Sequence, residues 1–180
     1  LAGEILGLET GPIMVELRKW LDGYENDEER LLLDLQIEHT YLFITARPHV
    51  PAPPYESAYS GRGYLMGEPA LQVLESYREA GLAMHKDYDA LPDHFSAELE
   101  FLSYLIQQEM ETEQAGDMAS AATWRERQTN FLGKHLLQWG PRFLAKTAAG
   151  GRVPFYQLLA DFAGMVLQAE EQRVPMTAQI

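Results

Sequence analysis

Residues 47–64 read RPHVPAPPYESAYSGRGY, and four prolines fall in the span from Pro48 to Pro54. Proline lacks the amide hydrogen, locks its own φ and bars its predecessor from the helical region. No helix and no interior strand can run through this segment, so the fold must be built from what lies on either side. Tyr55, Tyr59 and Tyr64 are interleaved with this stretch. Linkers are more often Ser/Gly-rich and poor in aromatics, so an ordered extended loop is expected. Composition leaves open whether residues 47–64 are ordered without a ligand.

On both sides of the loop the apolar spacing is helical. Residues 12–22, PIMVELRKWLD, place Leu17, Trp20 and Leu21 on one face before Gly23. The acidic run ENDEER favours the start of a second helix over about 27–46, with Leu31, Leu35, Leu42 and Phe43 apolar. A third is expected over 69–81, opened by Pro69 and closed by Gly81. A long helix should open at Pro92 or Asp93 and run to about Gln114, with Gly116 as its stop and Asp117 as the cap of the next. Gly140-Pro141 should break or kink that next helix, PRFLAKTAA should restart it, and Gly150-Gly151 should end it before Pro154 opens the last. There is no alternating strand pattern and no repeat of fixed period. The reading is an all-α fold: a single globular domain over residues 1–180, of about seven to nine helices, with a proline-rich loop.

The 180 residues are 46% hydrophobic and 23% charged, which are globular values. The net charge of −13 makes bare nucleic acid and anionic membrane surfaces poor partners and basic partners good ones. Without cysteine there can be no disulfide, thiolate nucleophile or Cys-ligated metal. No apolar run approaches the ~20 residues of a membrane span, and no basic-then-apolar signal opens the chain. The chain opens at Leu1 rather than a methionine, so a short N-terminal piece is expected upstream.

The most chemical-looking stretch is LPDHFSAELEFL, residues 91–102. Asp93 at a helix start suits an N-cap. His94 and Glu98, at i and i+4, would share a helix face and could begin a metal site with His135 as a remote third ligand. No HExxH or other paired-His motif supports one, and no metal site is assigned. Neither GxSxG nor GxxxxGK[ST] occurs; Gly61-Arg62-Gly63 is read as a turn. A nucleotide- or metal-dependent enzyme using Asp93 and His94 is therefore only the alternative. Tyr55 and Tyr59 in a stiff loop beside acidic groups suit an arginine-bearing peptide, because a guanidinium stacks on an aromatic face while forking onto a carboxylate. Equally, they could pin the loop to the core.

Five blocks in order carry a resemblance: PAPPYESAY (51–59), LMGEPALQVLESYREAGL (65–82), LPDHFSAELEFLSYL (91–105), HLLQWGPRFLAKTAA (135–149) and VPFYQLLADF (153–162). Together they resemble the TorD/DmsD/NarJ family of redox-enzyme maturation chaperones over about residues 13–170, closer to the TorD/DmsD branch. The resemblance implies a cytoplasmic, system-specific chaperone, not an enzyme. Its partners would be the twin-arginine leader and the apo catalytic subunit of a molybdopterin oxidoreductase, held back from export until the cofactor is inserted. Within the family, the alternative is an assembly factor that grips the catalytic subunit without reading a leader. No tightly bound cofactor is implied; transient contact with molybdopterin cofactor or guanine nucleotide is compatible with it, as is a monomer or a helix-swapped dimer. Position by position, leader binding falls on Leu42, Phe43, Pro54, Tyr55, Asp93 and His94, with His39 where relatives can carry tryptophan. Tyr59 joins them as a loop aromatic. Glu56, a carboxylate beside Tyr55, is added on its chemistry as a partner for arginine.

Overall fold

The computed structural model describes residues 4–5, 8–9, 11–60 and 65–174. Gly61, Arg62, Gly63 and Tyr64 lie outside the described residues. Among the described residues the chain is all-α, with seven α-helices and one antiparallel pair of two-residue strands, β1 (Glu4–Ile5) and β2 (Leu8–Glu9). It divides into two compact units. Residues 1–53 and 141–169 form one; residues 54–140 and 170–180 form the other.

The first unit holds α1 (Gly11–Asp22), α2 (Glu28–His39), the greater part of α6 (Leu137–Gly150) and most of α7 (Pro154–Glu171). In α1, Ile13, Leu17 and Trp20 turn inward at i, i+4 and i+7. Leu21, expected on that face, is 41% exposed, since it stands one step round the helix from Trp20. Trp20 meets Phe155 of α7 at 6.1 Å between ring centroids. Asp27 caps α2 by accepting from the Arg30 amide. That helix continues into a π-helical turn, Thr40–Ile44, which carries Leu42 inward. The Leu42 carbonyl accepts from the Ala52 amide at 3.0 Å, seating the proline loop on this turn. A Cβ at Gly150 would stand 3.1 Å from Pro51 Cβ and 3.3 Å from Leu42 Cδ2, so a larger residue there would have to displace the loop.

A buried ion pair completes this unit. Glu38 is almost wholly buried, and its carboxylate takes both the Arg152 backbone amide and, at 2.9 Å, the Arg152 Nε. The guanidinium lies 3.6 Å over the Tyr41 ring.

The second unit is built on α3 (Glu68–Glu79), α4 (Phe95–Gln114) and α5 (Met118–Phe131). Val73, Tyr77, Phe101, Leu105, Phe131 and Leu136 form its core, with ring centroids 4.6 Å apart for Tyr77–Phe101 and 4.7 Å for Phe101–Phe131. Gly81 and Gly116 take φ values of +82° and +78°, ending α3 and α4 in the left-handed region that favours glycine. Asp117 caps α5 as expected, accepting from the Ser120 amide.

Beyond α5 the expected break does not occur. A π-helical turn, Leu132–Leu136, leads directly into α6, and Pro141 lies inside that helix. Pro141 is only the fifth residue of α6, close to the first turn, where a missing amide costs least. The widened turn just before it supplies the local adjustment that a proline otherwise forces as a kink.

Candidate functional site

The site residues of the second unit meet where the proline loop passes the start of α4. Tyr55 and His94 form an antiparallel bridge. The Glu56 amide donates to the Asp93 carbonyl at 2.9 Å, and the Phe95 amide to the Pro54 carbonyl at 2.9 Å. Pro54-Tyr55 and Asp93-His94 are therefore brought together, as the resemblance implied. The Tyr55 and His94 rings stand edge to face, 5.1 Å apart, and both are half-buried. Burial, and then the Asp93 charge, push the Tyr55 phenol above its usual range, so it stays a hydrogen-bond donor at neutral pH.

Asp93 does not cap α4. That position belongs to His94, whose Nδ1 accepts from the Ser96 amide at 3.2 Å. Asp93 is 0% exposed, and its Oδ2 accepts from the Ser57 amide at 2.8 Å, across 36 residues of sequence. The loop comes so close to the helix start that the carboxylate serves the loop's own short helical turn, Glu56–Ala58, instead of the helix beside it. As a cap, His94 is extended, with φ −75° and ψ 138°, so it does not share a helix face with Glu98 as their spacing suggested.

Glu56 also differs from its expected role. Its carboxylate is turned inward, 3% exposed, and hydrogen-bonded to His135 Nδ1 at 2.9 Å. An arginine at the surface beside Tyr55 would not reach it in this conformation. Glu98 lies nearby, wholly buried, accepting from Trp139 Nε1 at 3.1 Å. Burial first, then the charges of Glu56 and Asp93, push the Glu98 carboxyl well above its ordinary range, against the pull of the Trp139 bond. Tyr59 rests against Trp139 with ring centroids 5.5 Å apart. Three buried acids thus underlie the bridge. Among the described residues, no group of three or more His, Asp or Glu could hold a metal ion.

Leu42, Phe43 and His39 belong to the first unit. Leu42 is 0% exposed and is a packing residue of its π turn. Phe43 is half-buried in an aromatic cluster, 5.6 Å from Tyr156, 6.0 Å from Phe143 and 5.2 Å from His39 between centroids. His39 is exposed.

The residues that sequence reasoning missed are His135, Trp139, Ser57 and the Glu38–Arg152 pair. One signal was available. HLLQW puts a histidine and a tryptophan at i and i+4, so both lie on one helix face with polar atoms that need partners when buried.

Comparison with known proteins agrees with this architecture. The family model for the nitrate reductase delta subunit matches residues 8–145. A chaperone protein TorD from Vibrio cholerae serotype O1 is 28% identical over 118 residues, 66% of this chain and 52% of that protein. The chain thus spans about half the length of that relative. The perchlorate reductase assembly chaperone protein of Dechloromonas aromatica is 28% identical over 177 residues, covering 91% of this chain and 78% of its own. A crystal structure from Archaeoglobus fulgidus, of a protein assigned to redox enzyme maturation, superposes with a TM-score of 0.52 at 29% identity, covering 74% of this chain and 65% of that one. These relatives are named as chaperones, not as enzymes, and among the described residues no helix is long and apolar enough to cross a membrane. By the span of the family match and the names of its relatives, the chain belongs to the TorD/DmsD/NarJ family, the nitrate reductase delta subunit family, in its TorD branch.

Proposed function

We propose that this protein is a system-specific chaperone, acting in the cytoplasm as a single functional domain, that binds the twin-arginine leader of a molybdopterin oxidoreductase and its apo catalytic subunit. It holds the client back from export until the cofactor is in place. The observation that carries this reading is the pairing of Pro54–Glu56 with Asp93–Phe95, which sets the Tyr55 and His94 rings side by side over a floor of buried acids. A surface of aromatic edges over negative charge suits a cationic peptide. In this reading Tyr55, His94 and Tyr59 touch the leader, with Phe43 offering a further aromatic contact. Asp93, Glu56, Pro54 and Leu42 act from beneath by positioning backbone and rings. Contact with the molybdopterin cofactor or a guanine nucleotide would be transient.

Calorimetric titration with the leader peptide of the molybdoenzyme encoded nearest this chain's gene tests the reading. Saturable binding at micromolar Kd or tighter, weakened when both arginines become alanine, supports it; no binding of the intact peptide defeats it. The second reading is an assembly factor that grips the catalytic subunit alone. It is favoured by the relative covering 91% of this chain, which is named an assembly chaperone. A client lacking its leader separates the two, because only the second reading expects full binding.

A further inference from the structure

On α4, Ala97, Glu100, Phe101 and Tyr104 stand at i, i+3, i+4 and i+7, so they share one face. The connection after α3 folds back over that face and encloses a cavity of about 310 Å³. Tyr77, Ala97 and Phe101, all buried, form its floor. Tyr88 and Tyr104 form walls, Leu82 and Met84 line the mouth, and Glu100 stands exposed at the rim. This volume is at the small end of ligand pockets (~300–1,000 Å³), the scale of one long side chain.

The chemistry of the lining selects the occupant. Four aromatic rings face the cavity, and the only carboxylate among the lining residues is Glu100. The one donor on the floor, the Tyr77 hydroxyl, is already committed to the Pro92 carbonyl at 2.8 Å. An anion would find no buried donor. The field is also negative: the Tyr77 phenol is pushed beyond its usual range by burial and then by Glu98, with Glu100 among the further contributors. The other titratable lining residue, His85, lies 3.6 Å from the Asp87 carboxylate, which offsets any positive charge it carries.

We infer that this cavity is a receptor for one arginine side chain of the bound peptide, its stem against Leu82 and Met84, its guanidinium stacked on Tyr88 or Tyr104 and paired with Glu100. The inference rests on the leader reading and assigns one of that peptide's arginines to a pocket separate from the Tyr55–His94 bridge. Arginine fits better than lysine because a planar fork can stack and pair at once.

The test is a double-mutant cycle read by calorimetry. Each leader arginine is replaced in turn by citrulline, its neutral isostere, and each peptide is titrated into wild type and Glu100→Gln. The expected result is that one citrulline peptide binds wild type about tenfold more weakly, while Glu100→Gln hardly distinguishes it from the native peptide. Tyr88→Leu should weaken the native peptide by a similar factor. A variant-free measurement accompanies this: the ε-methyl signal of Met84 in ¹³C-methionine-labelled wild type should shift on saturation with native peptide. Citrulline losses that are equal in wild type and Glu100→Gln, or a Met84 methyl unmoved at saturation, would overturn the pocket and leave the leader reading intact. Failure of wild type to bind the native peptide at all would overturn both.

Discussion

Asp93→Ala is the substitution whose outcome follows most directly from the structure. The Asp93 Oδ2 is the acceptor for the Ser57 amide at 2.8 Å, and both residues are buried. Truncation leaves that N–H without a partner, which costs about 1–3 kcal/mol. A second term opposes it. Asp93 Oδ1 is buried with no hydrogen-bond partner, and the charge of Asp93 disfavours an ionised Glu98. Removing the carboxylate relieves both. The net expectation is a loss of about 1–2 kcal/mol, or roughly 2–8 °C in Tm for a chain of this length. Asp93→Asn keeps an acceptor for Ser57 and removes the charge, so it should lie within about 0.5 kcal/mol of wild type. Urea unfolding followed by circular dichroism measures both. Leader binding is then compared at a temperature where each variant is fully folded. Asp93→Ala should still bind more weakly, because the Glu56–Ala58 turn beside Tyr55 has lost its side-chain anchor, whereas Asp93→Asn should bind normally. A folded Asp93→Ala protein with unchanged stability and unchanged affinity would refute the reasoning. A loss in Asp93→Asn as large as in Asp93→Ala would show that the charge, not the hydrogen bond, matters.

Further expectations concern pH, the first unit and the surface rings. Because the folded state raises the Glu98 pKa above its unfolded value, the folded protein holds the extra proton, and stability must fall as pH rises from the ordinary glutamate range through the raised folded value. Glu98→Gln should therefore exceed wild type in Tm at pH 8, with the advantage shrinking toward pH 5; a pH-independent difference would count against a protonated Glu98. Arg152→Ala strips the guanidinium from buried Glu38 but leaves the backbone bond, so chemical denaturation should show a loss of about 1–3 kcal/mol. Arg152→Lys should recover only part of this, since an ammonium cannot reproduce the stack on Tyr41. Tyr55→Ala should leave Tm within a few degrees and still weaken the leader peptide several-fold by calorimetry; unchanged affinity would remove Tyr55 from the contact surface.

The helices were legible because their signals are local. Asp117, Gly81, Gly116 and Pro154 each act within one turn of their own position, and each stands where its chemistry places it. The roles of the acids were not legible, because each is decided by a residue far away in sequence. Asp93 looked like a cap until Ser57, 36 residues earlier, claimed its carboxylate. Glu56 looked like a surface acid until His135, 79 residues on, turned it inward. The Glu38–Arg152 pair spans 114 residues. Bringing Pro54-Tyr55 to Asp93-His94 was available only through the family resemblance; hydrophobic periodicity says nothing about which loop crosses which helix start.

The π turn at Leu132–Leu136 has a consequence for insertions and deletions. Phe131, His135, Trp139, Phe143 and Thr147 are all buried, a strict spacing of four residues along one continuous run of helix. An ordinary α-helix turns about 100° per residue, so steps of four overshoot a full turn by about 40° and the row would wind around the helix. A stretch with a wider turn absorbs one extra residue and holds the row closer to a single face. Deleting one residue between Leu132 and Leu136 would restore regular α-geometry and rotate everything after it by about 100°. Trp139 would then swing away from Glu98 even though every hydrophobic residue of the helix was kept. A library of single-residue deletions across residues 125–150 should therefore be least tolerant after the turn's start, and a one-residue insertion elsewhere in the helix should be rescued by a deletion inside the turn.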